Sequence, residues 1–489
     1  MKKFISNSLV LLAFLLPLCV NAQLDEQTAT EKEIDSYISS IQKRYEIPGV
    51  SLAIIKNGET FYRNIYGLAN IEHQAPLKKE SIFRIYSLTK LPIAVGIFKL
   101  REEGLLDLED SISKFMDDLP LAWQSRQIKH LLTHSSGFPD LAPIPKFQNK
   151  PEEEAKELVY QDTLKFDAGT RYDYNQTNFW ILQKIIEKVS NQSIEDFILS
   201  TQFDNETSDV FFSSDSRDII QDRVTAYFPF QKGYMTIEHP HLKGDYFFAC
   251  NGLNLTMDQF MKWDERLKTN QLISADSKKA MWDLFKYNDQ PFKKFTLGWD
   301  MREINNIRSY GFSGSMVTAY RTFPQKGISI IFLSNGLGNW YDIENVMNYL
   351  GYLVDPQIND KSVTAFEVLL KSAEVNIDEF KSQYQKLKKD DINSVINFEG
   401  ILNSLGYTFL YSLDQPDKAR TIFEMNIKEN PSSWNVYDSM GECMEVKGDL
   451  QEAVDFYQLA IDKNVSNERG NNDRLKARLA EMKSSLVGN

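Results

Sequence analysis

The sequence predicts an α+β (α/β) fold in which one antiparallel β-sheet is flanked by helices and interrupted by an inserted helical lobe, followed by an all-helical repeat domain. Three observations indicate this. β-rich runs occur near the N-terminus and again between residues 295 and 334, a helical stretch separates them, and strand signals vanish after Asp355-Pro356. This order of elements favours one sheet assembled from both ends of a domain. The length of 489 residues also favours more than one domain.

The first 22 residues are typical of an export signal. Two lysines at the start precede an apolar run from Ser8 to Val20, and small residues end at Ala22. This is the order of a cleaved secretory signal peptide, and the apolar run is too short to cross a bilayer comfortably. We therefore predict a signal peptide over residues 1–22, and a periplasmic or secreted protein that has no transmembrane segment after cleavage.

Composition excludes several classes of function. The formal net charge of −13 argues against binding to nucleic acid or to an anionic membrane. Only two cysteines would remain after cleavage, one in each predicted domain, which argues against a disulfide framework. The histidine pairs 130/134 and 239/241 have no glutamate or cysteine in a metal-binding arrangement. We therefore predict no metal and no other cofactor.

The first strands form a predicted hairpin. Val50–Ile55 and Thr60–Tyr66 are β-rich, and the dipeptide Asn57-Gly58 between them is the strongest short hairpin signal. A helix is predicted before this hairpin, over residues 31–46, where charged and apolar positions alternate at helical spacing.

The rest of the first domain is predicted as helices followed by a strand meander. A helix runs from about Ser87 to Glu103, several helical segments fill residues 120–220, and a closing helix covers residues 341–354. Short turn signals separate four late strands. These predicted strands are Phe295–Ile304, Ile307–Ser313, Met316–Phe323 and Ile328–Ser334.

Beyond Asp355-Pro356 the sequence repeats itself with a period near 34 residues. Small and aromatic positions recur at this spacing, which is typical of tetratricopeptide repeats. The recurring pairs are Gly406 and Gly441, Ala419 and Ala453, and Phe423 and Tyr457. We predict one domain, built around the sheet, over residues 23–355 and a helical-repeat domain over residues 356–489. Stacked helix pairs offer a concave surface for a protein partner. The alternative is that this second domain packs on the first as a lid or brace.

One Ser-x-x-Lys pair has the context of a nucleophile. The spacing occurs three times, at Ser40, Ser87 and Ser111, so it carries little information alone. Only Ser87 opens an apolar helix, where Lys90 would be drawn out of water. Burial disfavours the charged form of an amine and makes a neutral base available, and residues three apart share a helix face. A base beside a serine hydroxyl is what nucleophilic catalysis needs.

Four further segments follow the one that contains Ser87 at ordered positions along the chain. The five segments are Phe83–Lys90, His130–Pro139, Phe166–Phe179, Cys250–Phe260 and Tyr310–Ser315. Together they resemble the family of class C β-lactamases, D-alanyl-D-alanine carboxypeptidases and related esterases, which are similar to penicillin-binding proteins. The resemblance covers residues 35–350 approximately.

The resemblance implies a catalytic set. Ser87 would be the nucleophile, Lys90 its partner, and Tyr174 the shared acid and base in the Tyr-x-Asn position. The backbone N–H groups of Ser87 and Ser315 would form the oxyanion hole, where each donor is worth a few kcal/mol.

Two positions depart from the family pattern. The Tyr-x-Asn motif ends in Gln176 here, next to Asn175, and both are predicted to contact substrate. The third motif reads Phe312-Ser313-Gly314, also predicted to bind substrate, where the family has Lys or His in place of the phenylalanine. That change removes a cation for a substrate carboxylate, so neutral acyl groups should be favoured over β-lactams. Alternatively, an arginine on a neighbouring strand, Arg308 or Arg321, supplies the charge.

The sequence therefore predicts an exported serine hydrolase that forms an acyl-enzyme on an ester, amide or D-amino-acyl peptide. The alternative is a catalytically impaired binding or scaffolding protein of the same fold that works through its helical repeats. Retention of Ser87, Lys90 and Tyr174 together favours the enzyme.

Overall fold

A computed structural model gives the fold of most of the chain. The described residues are 27–141, 150–204, 209–215, 218–230, 233–236, 245–315, 317–336, 342–464 and 471–487. The predicted signal peptide and the histidine pair 239/241 lie outside the described residues. The chain forms two compact units. One comprises residues up to 43, 47–337 and 353–358, and the other comprises 44–46, 338–352 and those from 359 onwards. The predicted boundary at residues 355/356 stays a prediction.

The strands are β1 (Gly49–Lys56), β2 (Glu59–Asn70), β3 (Ala75–Pro76), β4 (Ile82–Arg84), β5 (Val210–Phe212), β6 (Tyr227–Phe230), β7 (Gly233–Thr236), β8 (Leu253–Thr256), β9 (Asp300–Ile304), β10 (Ile307–Gly314), β11 (Thr318–Phe323) and β12 (Ile328–Ser334).

The helices are α1 (27–45), α2 (Lys90–Glu102), α3 (Ile128–Leu132), α4 (Glu152–Gln161), α5 (Gln176–Ser190), α6 (Ile194–Gln202), α7 (Phe248–Asn251), α8 (Met257–Lys268), α9 (Ala275–Met281), α10 (Ile343–Val354), α11 (Lys361–Val375), α12 (Ile377–Asp390), α13 (Phe398–Tyr407), α14 (Pro416–Glu429), α15 (Trp434–Lys447), α16 (Leu450–Lys463) and α17 (Asn471–Val487).

The large sheet joins the two ends of the first unit, as predicted. Its order is β3-β2-β1-β12-β11-β10-β9, and its neighbouring strands pair antiparallel. The N-terminal hairpin and the late meander meet where β1 pairs with β12. Asn57 and Gly58 both have positive φ, 55° and 85°, which is the conformation that a two-residue hairpin turn of this type requires.

One predicted strand is too long. The run Phe295–Ile304 was expected to be a single strand, but β9 begins only at Asp300. Gly298 explains the difference, because its φ of 95° breaks the extended backbone and a Cβ there would lie 2.6 Å from the Cβ of Ala94. The chain therefore turns at Gly298, next to α2, before it enters the sheet.

A second sheet, which the sequence did not predict, leads into the candidate site. Its order is β4-β8-β5, with strands of three or four residues that are almost wholly buried. Arg84 on β4 pairs with Asn254 on β8. The chain leaves β4 one residue before the turn that carries Ser87. The helical lobe follows, and within it α5 packs against α2 and α6 around buried aliphatic and aromatic side chains.

The second unit is all-helical where it is described, as predicted. Equivalent glycines face equivalent aromatic rings in two successive helix pairs. A Cβ on Gly406 of α13 would lie 2.3 Å from Phe423 on α14, and a Cβ on Gly441 of α15 would lie 2.8 Å from Tyr457 on α16. The period of the sequence thus corresponds to a recurring helix contact, and the tetratricopeptide assignment itself stays a prediction. Among the described residues no helix is both long and apolar enough to cross a bilayer.

Candidate active site

Ser87 lies on a turn held from several sides. A 3-10 turn, Tyr86–Thr89, runs directly into α2. Tyr86 is buried and has a φ of 50°, a left-handed conformation that bulky residues seldom adopt and that is often found at functional sites. The N–H of Ile85 donates to the carbonyl of Leu253 on β8 at 3.0 Å. Ser87 itself is partly exposed, so a substrate can reach its hydroxyl.

Lys90 is buried below this turn, with a relative exposure of 1%. Its Nζ donates to the Oε1 of Gln176 at 2.8 Å and to the carbonyl of Cys250 at 2.7 Å. The amine also lies 5.1 Å from the ring centroid of Tyr174 and 5.2 Å from that of Phe179. The expectation that Lys90 is withdrawn from water is confirmed, and two neutral oxygens fix its position.

Tyr174 brings the three predicted catalytic residues together. Its Oη donates to the Oγ of Ser87 at 2.8 Å. Since Nζ of Lys90 lies 5.1 Å from the centroid of the tyrosine ring, an amine lies close to the phenol and completes the set of three groups. This arrangement can take a proton from the serine and return it to a leaving group.

The two amides beside Tyr174 have different surroundings. Gln176 contacts Lys90, so the longer amide occupies the place beside the lysine. Asn175, also predicted to bind substrate, is 1% exposed and donates through Nδ2 to the carbonyl of Phe138 at 2.6 Å. Its side chain therefore fastens the Tyr174 segment to the preceding loop and is directed into the core.

The end of β10 lies against the nucleophile turn. A Cβ on Gly314 would lie 2.3 Å from the carbonyl oxygen of Ile85 and 3.0 Å from the Cβ of Tyr86. Thr318 on β11 donates to the same Ile85 carbonyl at 3.1 Å. Only glycine allows this close approach. It brings Ser313, which is partly exposed, and the exposed Ser315 next to the turn of Ser87.

Phe312 closes one side of the site with an aromatic group. Its ring stacks on Tyr174, with centroids 5.9 Å apart and planes inclined by 29°, and it meets Phe295 edge to face at 6.1 Å. Tyr172 lies 5.1 Å from Phe295 and extends the same group. The residue that replaces the family's cation therefore adds apolar surface directly beside the tyrosine.

The two arginines proposed as substitute cations have other partners. Arg308 is exposed and pairs with Glu303 at 3.2 Å. Arg321 is buried and pairs with Asp300 at 3.0 Å. A cation that the sequence analysis missed is Lys293, whose Nζ lies 4.0 Å from the ring centroid of Tyr172. Burial lowers the pKa of Lys293. It belongs to no motif, so only the fold reveals its place.

The described residues contain no group of three or more His, Cys, Asp or Glu side chains that could hold a metal ion.

The chain matches a known protein family and several known proteins. The family described as Beta-lactamase matches residues 34–351 of this chain. The chain is similar to Penicillin-binding protein 4* of Bacillus subtilis (strain 168), with 26% identity over 335 residues, which cover 62% of this chain and 71% of that protein. Protein flp of Staphylococcus aureus (strain MW2) matches over 35% of its own length.

Solved structures share the fold. The octameric penicillin-binding protein homologue from Pyrococcus abyssi superposes with a TM-score of 0.58 at 24% identity, over 70% of this chain and 81% of that one. EstCE1, a hydrolase with promiscuous acyltransferase activity, gives a TM-score of 0.54 at 18% identity, over 65% of this chain and 95% of that one.

Proposed function

The chain belongs to the beta-lactamase family, and on that premise we propose that it is a serine hydrolase that forms an acyl-enzyme on Ser87. The observation that carries the proposal is the 2.8 Å hydrogen bond from the Tyr174 hydroxyl to Ser87 Oγ, above a buried Lys90. A serine needs a neighbouring base to become a nucleophile, and the Tyr174 hydroxyl together with the Lys90 amine is the proposed base.

The reaction has two halves. In acylation, Ser87 Oγ bonds to the carbonyl carbon while its proton passes to the pair formed by Tyr174 and Lys90. That proton then goes to the departing alcohol or amine as the bond between it and the acyl carbon breaks. In deacylation, water loses a proton to the same pair and attacks the acyl carbon. Ser87 recovers the proton, and the acid is released.

The backbone N–H groups of Ser87 and Ser315 are the proposed oxyanion hole. The close approach of Gly314 to Ile85 and Tyr86 supports it, because it holds the end of β10 against the nucleophile turn. Two N–H groups that converge on a developing oxyanion stabilise it by a few kcal/mol each.

Neutral acyl groups are the proposed substrates, in esters or amides. Phe312 presents a ring where the family presents a cation, and Arg308 and Arg321 are held by carboxylates. Apolar contact with that ring stabilises a bound substrate by about 25 cal/mol per Å² buried, whereas the ring itself offers no charge to a substrate carboxylate. Export, a D-amino-acyl peptide as substrate and a protein partner of residues 356–489 are further proposals that rest on the sequence.

The test is a set of single substitutions assayed on a short neutral ester. Ser87→Ala should abolish turnover, and Lys90→Ala and Tyr174→Phe should each lower kcat by about 10²–10⁴-fold. Ser40→Ala is the matched control, because its hydroxyl belongs to another Ser-x-x-Lys pair and only donates to the helix carbonyl of Tyr37. Turnover that survives in Ser87→Ala would refute the assignment.

A further inference from the structure

His134 accepts hydrogen bonds from the backbone on both sides of Tyr174. Its carbonyl accepts the N–H of Asp173 at 2.9 Å, and its ring Nδ1 accepts the N–H of Asn175 at 3.2 Å. The N–H groups of the residues before and after the tyrosine therefore both donate to one residue. His134 has a φ of 51°, a left-handed conformation that residues other than glycine seldom adopt.

The imidazole ring also packs on the tyrosine itself. The centroids of the His134 and Tyr174 rings are 4.6 Å apart, and Phe179 and Phe295 lie at 5.4 and 5.7 Å. His134 is 1% exposed, so the ring fills a closed space behind Tyr174. Backbone and ring contacts together leave the phenol little freedom to move away from Ser87.

The hydrogen bonds fix the charge state of the ring. Nδ1 receives the Asn175 N–H and also faces the Nδ2 of Asn178 at 3.2 Å. The amide of Asn178 is oriented in turn, since its Oδ1 accepts the hydroxyl of Ser136 at 2.6 Å. An acceptor at Nδ1 requires a neutral ring protonated at Nε2, and within the described residues Nε2 has no hydrogen-bond partner. Burial, together with the charges of Lys90 and Lys293, holds the pKa of His134 well below its usual 6.5.

We infer that His134 is a positioning residue for the reaction: by holding the backbone on both sides of Tyr174 and the face of its ring, it sets the distance between the tyrosine hydroxyl and Ser87 Oγ. The inference rests on the proposed function, because it assigns His134 an effect that acts through Tyr174. A histidine that merely filled the core would stabilise the fold, but its effect on kcat would not depend on the Tyr174 hydroxyl.

Two substitutions distinguish the hydrogen bond at Nδ1 of His134 from the packing of its ring. His134→Leu is similar in size but removes the Nδ1 acceptor. His134→Asn keeps an acceptor at the equivalent atom, Oδ1, and tolerates positive φ. We expect His134→Leu to lower kcat on a neutral ester by about 10²-fold with little change in KM, since a misplacement of about 1 Å has that effect. His134→Asn should recover a large part of the loss.

His130→Leu is the matched control. Its Nδ1 likewise accepts a backbone N–H, from Gln127 at 3.1 Å, but its ring lies beside Phe285. The same substitution there should leave kcat within about twofold, because it changes a nearby histidine, on α3, and leaves the hydrogen bonds between His134 and the Tyr174 segment in place.

The deciding measurement is a double-mutant cycle with Tyr174→Phe, run on the full chain. If His134 acts through the Tyr174 hydroxyl, His134→Leu should cost little more than about twofold in the Tyr174→Phe background. An equal loss in both backgrounds, or no loss in His134→Leu, would overturn the inference. Should His134→Leu fail to fold, His134→Met, which also lacks the acceptor at Nδ1, takes its place in the cycle with the same criterion. Tyr174→Phe without effect would instead refute the proposed function, so the two failures are distinguishable.

Discussion

Gly314→Ala probes the contact between β10 and the nucleophile turn. The added Cβ would lie 2.3 Å from the carbonyl oxygen of Ile85, whereas ordinary contact begins at 3.4 Å. The strand end must therefore retreat by about 1 Å, because the Ile85 carbonyl is backbone and cannot rotate away. Phe312 and Ser315 lie on the same segment and would move with it.

Two effects of different size follow. Overpacking of this kind costs about 1–3 kcal/mol of folding free energy, or a few degrees in Tm. A shift of about 1 Å between the N–H of Ser315, one of the two proposed oxyanion donors, and Ser87 should lower kcat/KM by about 10²-fold. The assay is kcat/KM on a short neutral ester at a temperature well below Tm, together with a thermal melt of the same preparation.

Gly58→Ala is the control for lost stability alone. Gly58 has a φ of 85°, so alanine is strained there by about 1–2 kcal/mol, but the added methyl meets nothing within 4 Å. Its kcat/KM should remain unchanged while Tm falls. If Gly314→Ala keeps kcat/KM within threefold despite a comparable fall in Tm, the position of the strand end does not matter to the chemistry, and the reasoning is wrong.

Three further predictions concern substrate choice, the helical unit and pH. Phe312→Lys should raise kcat/KM for an ester with a terminal carboxylate by about ten- to a hundredfold relative to its neutral analogue. If the unmodified protein already prefers the carboxylate and Lys293→Met removes that preference, the neutral-substrate proposal fails. Gly441→Ala, which places a Cβ 2.8 Å from Tyr457, should destabilise the helical unit by about 1–3 kcal/mol in a circular dichroism melt; an unchanged melt would contradict the packing. Burial lowers the pKa of His130 from 6.5 to about 4, so below pH 6.5 the unfolded chain binds a proton that the folded chain does not. Stability is then lost as pH falls from 6.5 towards 4, by up to about 1.4 kcal/mol per pH unit. Replacing His130 by leucine should flatten the dependence of Tm on pH in that window. An unaltered slope would contradict a lowered pKa of His130 in the folded chain.

Local sequence signals were enough to predict the large sheet. The Asn57-Gly58 turn and the alternating strands around it are encoded within a few residues. The sheet β4-β8-β5 was missed because its strands are too short to show a period, and its pairing of Arg84 with Asn254 joins residues far apart in the chain. The extension of β9 to Phe295 was wrong because one glycine, Gly298, outweighed a β-rich composition.

The candidate site was predictable where motifs carry it. Ser87, Lys90 and Tyr174 were assigned from short segments, and their convergence in the fold is consistent with that assignment. Gln176 contacts Lys90, whereas the neighbouring Asn175 does not. This difference depends on the direction in which two adjacent amide side chains point. The hydrogen bonds between His134 and the backbone around Tyr174 use main-chain atoms, and His134 has a left-handed backbone conformation. A pattern of residue types reveals neither feature.

Covalent labelling tests the central claim most directly. The purified full-length protein is treated with a fluorophosphonate serine probe, and the adduct is located by peptide mass mapping. The account predicts one adduct, on Ser87, that forms more slowly when a neutral ester competes and disappears in Ser87→Ala. An adduct on Ser40 or Ser111 instead, or a folded protein that does not react at all, would contradict it and favour a binding protein that has kept the fold without the chemistry.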